Sequence, residues 1–212
     1  AGVGERETAR RAVEAMASSL PPDSALAFFQ THPVWLQGWL IGAWSAQSGD
    51  TVLAQRWIDA IGTLPPGGTS EDYRGALQAD IAGRLATRRG NLQEALDRAR
   101  SAFFLWTIHT DNEYEYSAEP VMRFELALRY RDSGMADSAR AVFSSFLPPT
   151  SWMGFLTARA SYELGEMAFA AGRVEEARSH YSTALRFWDR DGAATASFRR
   201  QAISRLEELG IP

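Results

Sequence analysis

The chain has 212 residues, 45% of them apolar, and a net charge of −4. That is enough apolar material for a continuous core, with no bulk field to recruit nucleic acid or an anionic membrane. There is no cysteine, which excludes disulfides, thiol nucleophiles and cysteine-based metal sites, and all 22 basic residues are arginine.

Five times a Gly is followed, five residues later, by an Ala: Gly4/Ala9, Gly49/Ala54, Gly90/Ala95, Gly134/Ala139 and Gly172/Ala177. Seven residues before the last four of these glycines stands a small residue after an apolar one: Ile41-Gly42, Ala82-Gly83, Leu126-Ala127 and Leu164-Gly165. The steps between glycines are 45, 41, 44 and 38 residues. A period of this length signals a stacked array of like units.

In chain order, residues 5–20 predict a helix that follows the first Gly with no partner helix ahead of it, ended by Leu20-Pro21-Pro22. Residues 23–31 read as a short extra helix or ordered loop, and Pro33 opens the next helix. Ala76 to Arg89 has apolar residues at 77, 81, 82, 85 and 86, the spacing of an amphipathic helix. Gly90-Asn91 ends it, as glycine does where positive φ is required. A second helix runs from about Leu92 to Ile108 with Leu92, Ala95, Leu96, Ala99, Ala102 and Phe103 on one face. Thr69/Ser70 and Thr150/Ser151 supply N-cap chemistry for the helices that follow, and Leu64-Pro65-Pro66 and Leu147-Pro148-Pro149 stop the helices before them. Residues 107–120 read as the longest connection that the repeat does not explain. The last helix, Thr195 to Leu209, shows an apolar face of Phe198, Ile203, Leu206 and Leu209, with Arg199, Arg200, Arg205, Glu207 and Glu208 facing out. Small residues at one phase in both helices of each pair are what close helix–helix packing needs. The expectation is an all-α stack of about nine to eleven helices with no sheet.

Leu164-Gly165, Gly172, Ala177, Tyr181 and Ala184 together resemble a tetratricopeptide repeat. The units at Gly49, Gly90 and Gly134 keep the small residue, the turn Gly and the Ala, and put Ile58, Ala99 or Phe143 where Tyr181 stands. These steps are longer than the family's repeat of about 34 residues. The resemblance implies one domain over 1–212, a right-handed α-solenoid of antiparallel helix pairs. It would comprise an orphan half repeat at 1–22, four full repeats over 23–192 and a C-terminal capping helix at 193–212.

No His-x-x-x-His pair, phosphate-loop motif or Gly-x-Ser-x-Gly elbow occurs, and His109 with Asp111 and Glu113 reads as a polar loop. The expectation is therefore no enzyme, no cofactor and no metal. In the tetratricopeptide family the first helices line a concave groove. The resemblance puts Trp39, Asp80, Arg84, Phe124, Leu128, Arg131, Tyr162, Glu166 and Phe169 on that face, at three before, one after and four after the small residue. Ala43, Ala46 and Thr87 leave room beside them. The aromatics equally suit the core of extended helices, and Arg84 and Arg131 equally suit a solvated surface that tolerates truncation to Ala. The functional expectation is a scaffold that binds a protein segment, with no nucleic acid partner and no membrane insertion. The start of the chain, without Met and without a signal-peptide core, suggests the C-terminal regulatory module of a larger bacterial signalling protein in the cytoplasm. An extracytoplasmic place would follow if a membrane segment tethered it. A small-molecule or peptide sensor and a self-association module are the alternatives.

Overall fold

The computed structural model describes residues 33–62, 71–107, 115–147, 154–188 and 195–210. Nine helices and no strand are found among them. They are α1 (Pro33–Ser48), α2 (Thr51–Gly62), α3 (Glu71–Arg88), α4 (Leu92–Thr107), α5 (Glu115–Asp132), α6 (Ala136–Ser144), α7 (Gly154–Ala170), α8 (Val174–Phe187) and α9 (Ala196–Glu208). The expected all-α class is observed. The helix expected at 5–20, the segment 23–31, the caps at Ser70 and Ser151 and the loop at 109–113 lie outside the described residues.

The turn glycines behave as their spacing predicts. Gly49, Gly90, Gly134 and Gly172 have φ of 95°, 75°, 75° and 69°. These are left-handed values that glycine adopts without the steric cost a Cβ imposes. The turns at Gly49, Gly90 and Gly172 fold the chain back, so that α1 packs on α2, α3 on α4 and α7 on α8. The Ala that follows each turn is completely buried: Ala54, Ala95, Ala139 and Ala177. The small first-helix residues mark close approaches. A Cβ on Gly42 would lie 2.6 Å from Ile81 Cδ1 in α3, and one on Gly165 would lie 2.7 Å from Tyr181 Cε1 in α8. At Gly83 it would meet Arg98 Cβ at 3.2 Å and the Ala95 carbonyl at 3.4 Å.

The described residues form two compact units, 33–133 and 134–210. In the first, α1, α2 and α3 pack mutually, and α4 bridges α3 and α5. Its core holds Trp39, Ile41, Trp57, Ile61, Tyr73, Leu77, Ile81, Trp106 and Met122. Tyr73 meets Trp106 edge to face at 4.8 Å. In the second, α6 packs on α7 and α9 packs on α8. Its core is built on Tyr162, Tyr181 and Trp188 among alanines 158, 168, 177, 184 and 202.

One expectation is corrected. Residues 115–120, read as the end of a loop, are helical and open α5. Pro120 lies inside that helix. It is the sixth helical residue, so the carbonyl of residue 116 has no N–H to accept four residues on. Proline pointed to a helix boundary; packing of Ala118, Pro120 and Met122 into the interior outweighs that local cost.

Candidate functional site

In the first unit four of the sequence-predicted groove residues, Trp39, Asp80, Arg84 and Arg131, join a polar chain that is buried from Trp39 to Arg129. The Trp39 indole Nε1–H of α1 donates to Asp80 Oδ2 of α3 at 2.7 Å. Arg84, one turn further along α3, donates from Nε to the same Oδ2 at 2.9 Å and from NH1 to Glu125 Oε1 of α5 at 2.9 Å. Arg129 NH2 donates to Glu125 Oε2 at 2.5 Å, and its NH1 to Asp132 Oδ2 at 3.2 Å. Arg131 closes the run on Asp132 Oδ1 at 2.7 Å. Gln47 of α1 also reaches Glu125 Oε1, at 3.3 Å. Three acids alternate with three arginines, so the cluster is neutral as a whole.

Helix periodicity explains the arrangement. Asp80 with Arg84 and Glu125 with Arg129 are i,i+4 pairs, acid first, the order that a helix favours. The planar fork of Arg84 then spans from one helix to the next, its Nε and NH1 each aimed at a different carboxylate, a fixed geometry that the single nitrogen of a lysine does not reproduce. Burial alone would lower the Arg84 pKa, but the Asp80 and Glu125 charges outweigh it and hold the guanidinium above its ordinary value.

These contacts revise one expectation. Arg84 is only 5% exposed, so it is no solvated arginine that tolerates truncation. Residue type suggested an exposed side chain; an acceptor 41 residues on, Glu125, keeps it inside. Trp39, Asp80 and Phe124 are buried as well, while Leu128 and Arg131 are half-buried.

In the second unit Tyr162, Glu166 and Phe169 come together under α9. Glu166 Oε1 accepts from the Tyr181 hydroxyl at 2.5 Å and from Arg205 Nε at 3.1 Å. The Arg205 guanidinium lies over the Phe169 ring, 4.4 Å from its centroid. The Tyr162 hydroxyl donates to Gln201 Oε1 at 2.9 Å. Phe198 of α9 packs edge to face on Tyr162 at 5.6 Å and carries the Arg159 guanidinium at 3.5 Å. Arg205 is thus turned inward, a correction to its outward assignment. The face of α9 that packs runs through Phe198, Ala202, Leu206 and Leu209, and the expected Ile203 is half-buried.

Sequence reasoning missed Glu125, Arg129, Gln47, Arg159 and Trp188. The i,i+4 charge spacing at Glu125/Arg129 and at Arg159/Glu163 was visible; nothing local marked Gln47 or Trp188.

Burial first, and the Glu166 and Glu163 charges second, push the Tyr162 phenol up to about 12. Burial and the hydrogen bond to Glu166 push Tyr181 well above the ordinary tyrosine range. In an ultraviolet phenolate titration of the native protein, two of the 6 tyrosines are therefore expected to ionise late. Since the neutral forms belong to the fold, the stability they hold is present below about pH 10. It is lost as pH rises through the folded-state values. Ionisation of all tyrosines together near pH 10 in the folded chain would refute this environment.

A cleft of about 490 Å³ lies along α2, α3 and α4, floored by Gly75, Ala79 and Ala82. Its walls include Gln55, Arg89, Arg98 and Ser101, all exposed, so it is a surface feature. Among the described residues, no helix is long and apolar enough to cross a membrane. No family model matches the chain, and the search of curated proteins finds no match.

Proposed function

We propose that this chain is a non-catalytic scaffold that binds a protein segment along its first helices. In this reading it is a single tetratricopeptide-like domain, a right-handed solenoid of four helix pairs working in the cytoplasm. The supporting observation is the polar chain from Trp39 through Asp80, Arg84 and Glu125 to Arg129. It fixes α1, α3 and α5 in one register and leaves Leu128 and Arg131 half-exposed beside it. A surface already rigid before binding loses less entropy when a partner docks. Aromatic and arginine side chains next to small ones are the composition of binding hot spots.

The burial pattern divides the predicted groove into support and contact. Trp39, Asp80 and Arg84 support; Leu128 and Arg131 are the contact residues of the first unit. The test is capture of an interacting protein by the immobilised chain, followed by titration of that protein against wild type and Leu128→Ala/Arg131→Ala. A true hot spot truncated to Ala is expected to cost roughly 2 kcal/mol of binding or more, about thirtyfold in Kd. The melting temperature is expected to fall only slightly, because Leu128 is only half-buried and Asp132 keeps Arg129 when Arg131 is removed. Equal binding by a folded double variant would remove this face from consideration.

A further inference from the structure

The seat of α9 has the composition of a binding site. Two side chains anchor the helix. Phe198 meets Tyr162, Trp188 and Arg159, and Arg205 meets both oxygens of Glu166 and the face of Phe169. The anchors are seven residues apart, two turns of one helix face, about 10.5 Å along the axis. Between them Ala202, fully buried, lets the helix approach closely.

The fit of α9 is incomplete in two respects. Ala202 is the one completely buried residue of its 13, whereas α7 buries nine of 17. A helix of that length has marginal stability by itself, so α9 depends on the seat. Among the described residues the Trp188 indole Nε1–H, in a side chain only 3% exposed, has no hydrogen-bond partner. A buried donor left unmade is a cost that α9 does not relieve, although its Phe198 ring lies 6.1 Å from that indole.

We propose that the α7–α8 face beneath α9 is a docking site for an amphipathic helix carrying an aromatic residue and, seven positions on, an arginine. α9 is the resident competitor for that site. The proposal rests on the reading of the chain as a protein-binding scaffold and names the partner class: a helical segment that repeats the two anchors and adds an acceptor for Trp188. Such a segment takes the place of α9, and release of α9 regulates access.

The chain's own segment is the probe. A fluorescein-labelled peptide of residues 195–210 is titrated by anisotropy against the full chain, either wild type or carrying Phe198→Ala and Arg205→Ala. In the double variant the resident helix has lost its anchors and vacates the seat. Apparent affinity scales with the vacant fraction, so the peptide is expected to bind this variant at least about tenfold more tightly than wild type. A peptide with the same two substitutions is expected not to bind. If the variant loses helix or melts lower, added peptide is expected to restore both, and Arg205→Ala alone gives a milder vacancy. Equal binding to both chains, or neither binding nor restoration, would show α9 to be a fixed part of the core and overturn the proposal. The Leu128/Arg131 titration uses a different unit and a different probe, so either result can fail while the other stands.

Discussion

Arg84→Ala is expected to lower the stability of the first unit by about 3–5 kcal/mol, the usual result of removing one partner from a buried ion pair. The arithmetic is asymmetric. Wild type has already met the desolvation of three buried charges through the contacts of Arg84 to Asp80 and Glu125, at 2.9 Å each. Truncation leaves Asp80 with the Trp39 indole alone and Glu125 with Arg129 and Gln47. Two carboxylates then share an interior with less positive charge than they need. Arg84→Lys is expected to recover only part of the loss, because one ammonium nitrogen replaces two guanidinium nitrogens that are each placed on a separate carboxylate. Urea unfolding followed by helical circular dichroism gives the measurement. An unfolding free energy for Arg84→Ala within about 0.5 kcal/mol of wild type, the ordinary range for a surface site, would mean that the network is open in solution.

The second large effect is at Gly165. A leucine there must fit where even a Cβ would stand 2.7 Å from Tyr181 Cε1 and 2.8 Å from Cδ1. The ring cannot swing freely, since its hydroxyl is tied to Glu166. Forcing α7 and α8 apart is overpacking, with a typical cost of ~1–3 kcal/mol, and loss of the Tyr181–Glu166 hydrogen bond adds about 1 kcal/mol. Gly172→Ala is the control. Nothing lies within 4 Å of a Cβ at Gly172, whose φ is +69°. Its expected cost is therefore the backbone term alone, roughly 1–2 kcal/mol. Thermal melts of the three chains separate crowding from conformation. An unchanged melting temperature for Gly165→Leu would contradict the close approach of α7 to α8.

The repeat was legible because its signals are local. A positive-φ glycine, a buried alanine five residues later and a small residue seven before need only one turn and two helix faces to explain them. The Pro120 helix was misread because a strong local breaker is outweighed by burial that no short window contains. The groove was legible in membership and not in exposure. Asp80, Arg84 and Trp39 do come together, as do Tyr162, Glu166 and Phe169, but helical phase says which residues share a face and not what covers it. Glu125 covers Arg84 and α9 covers Tyr162, from 41 and about 40 residues away. Arg205 shows the same limit from the other side: a charged residue on a terminal helix defaults to solvent until a carboxylate such as Glu166 is placed opposite.

The polar chain has a consequence for how such arrays change over time. Helix pairs that look interchangeable invite duplication, deletion and shuffling. Here α3 presents an acid, Asp80, to α1 and a base, Arg84, to α5. Excising α3 and α4 would set α5 against α1, with Phe124 at the position Asp80 had occupied. The Trp39 indole would then face a phenyl ring, and Glu125 would keep Arg129 but lose the second of its two cations. Each pair in this unit is addressed to its neighbours by sign and by hydrogen-bonding type, so their order along the chain is part of what the sequence encodes.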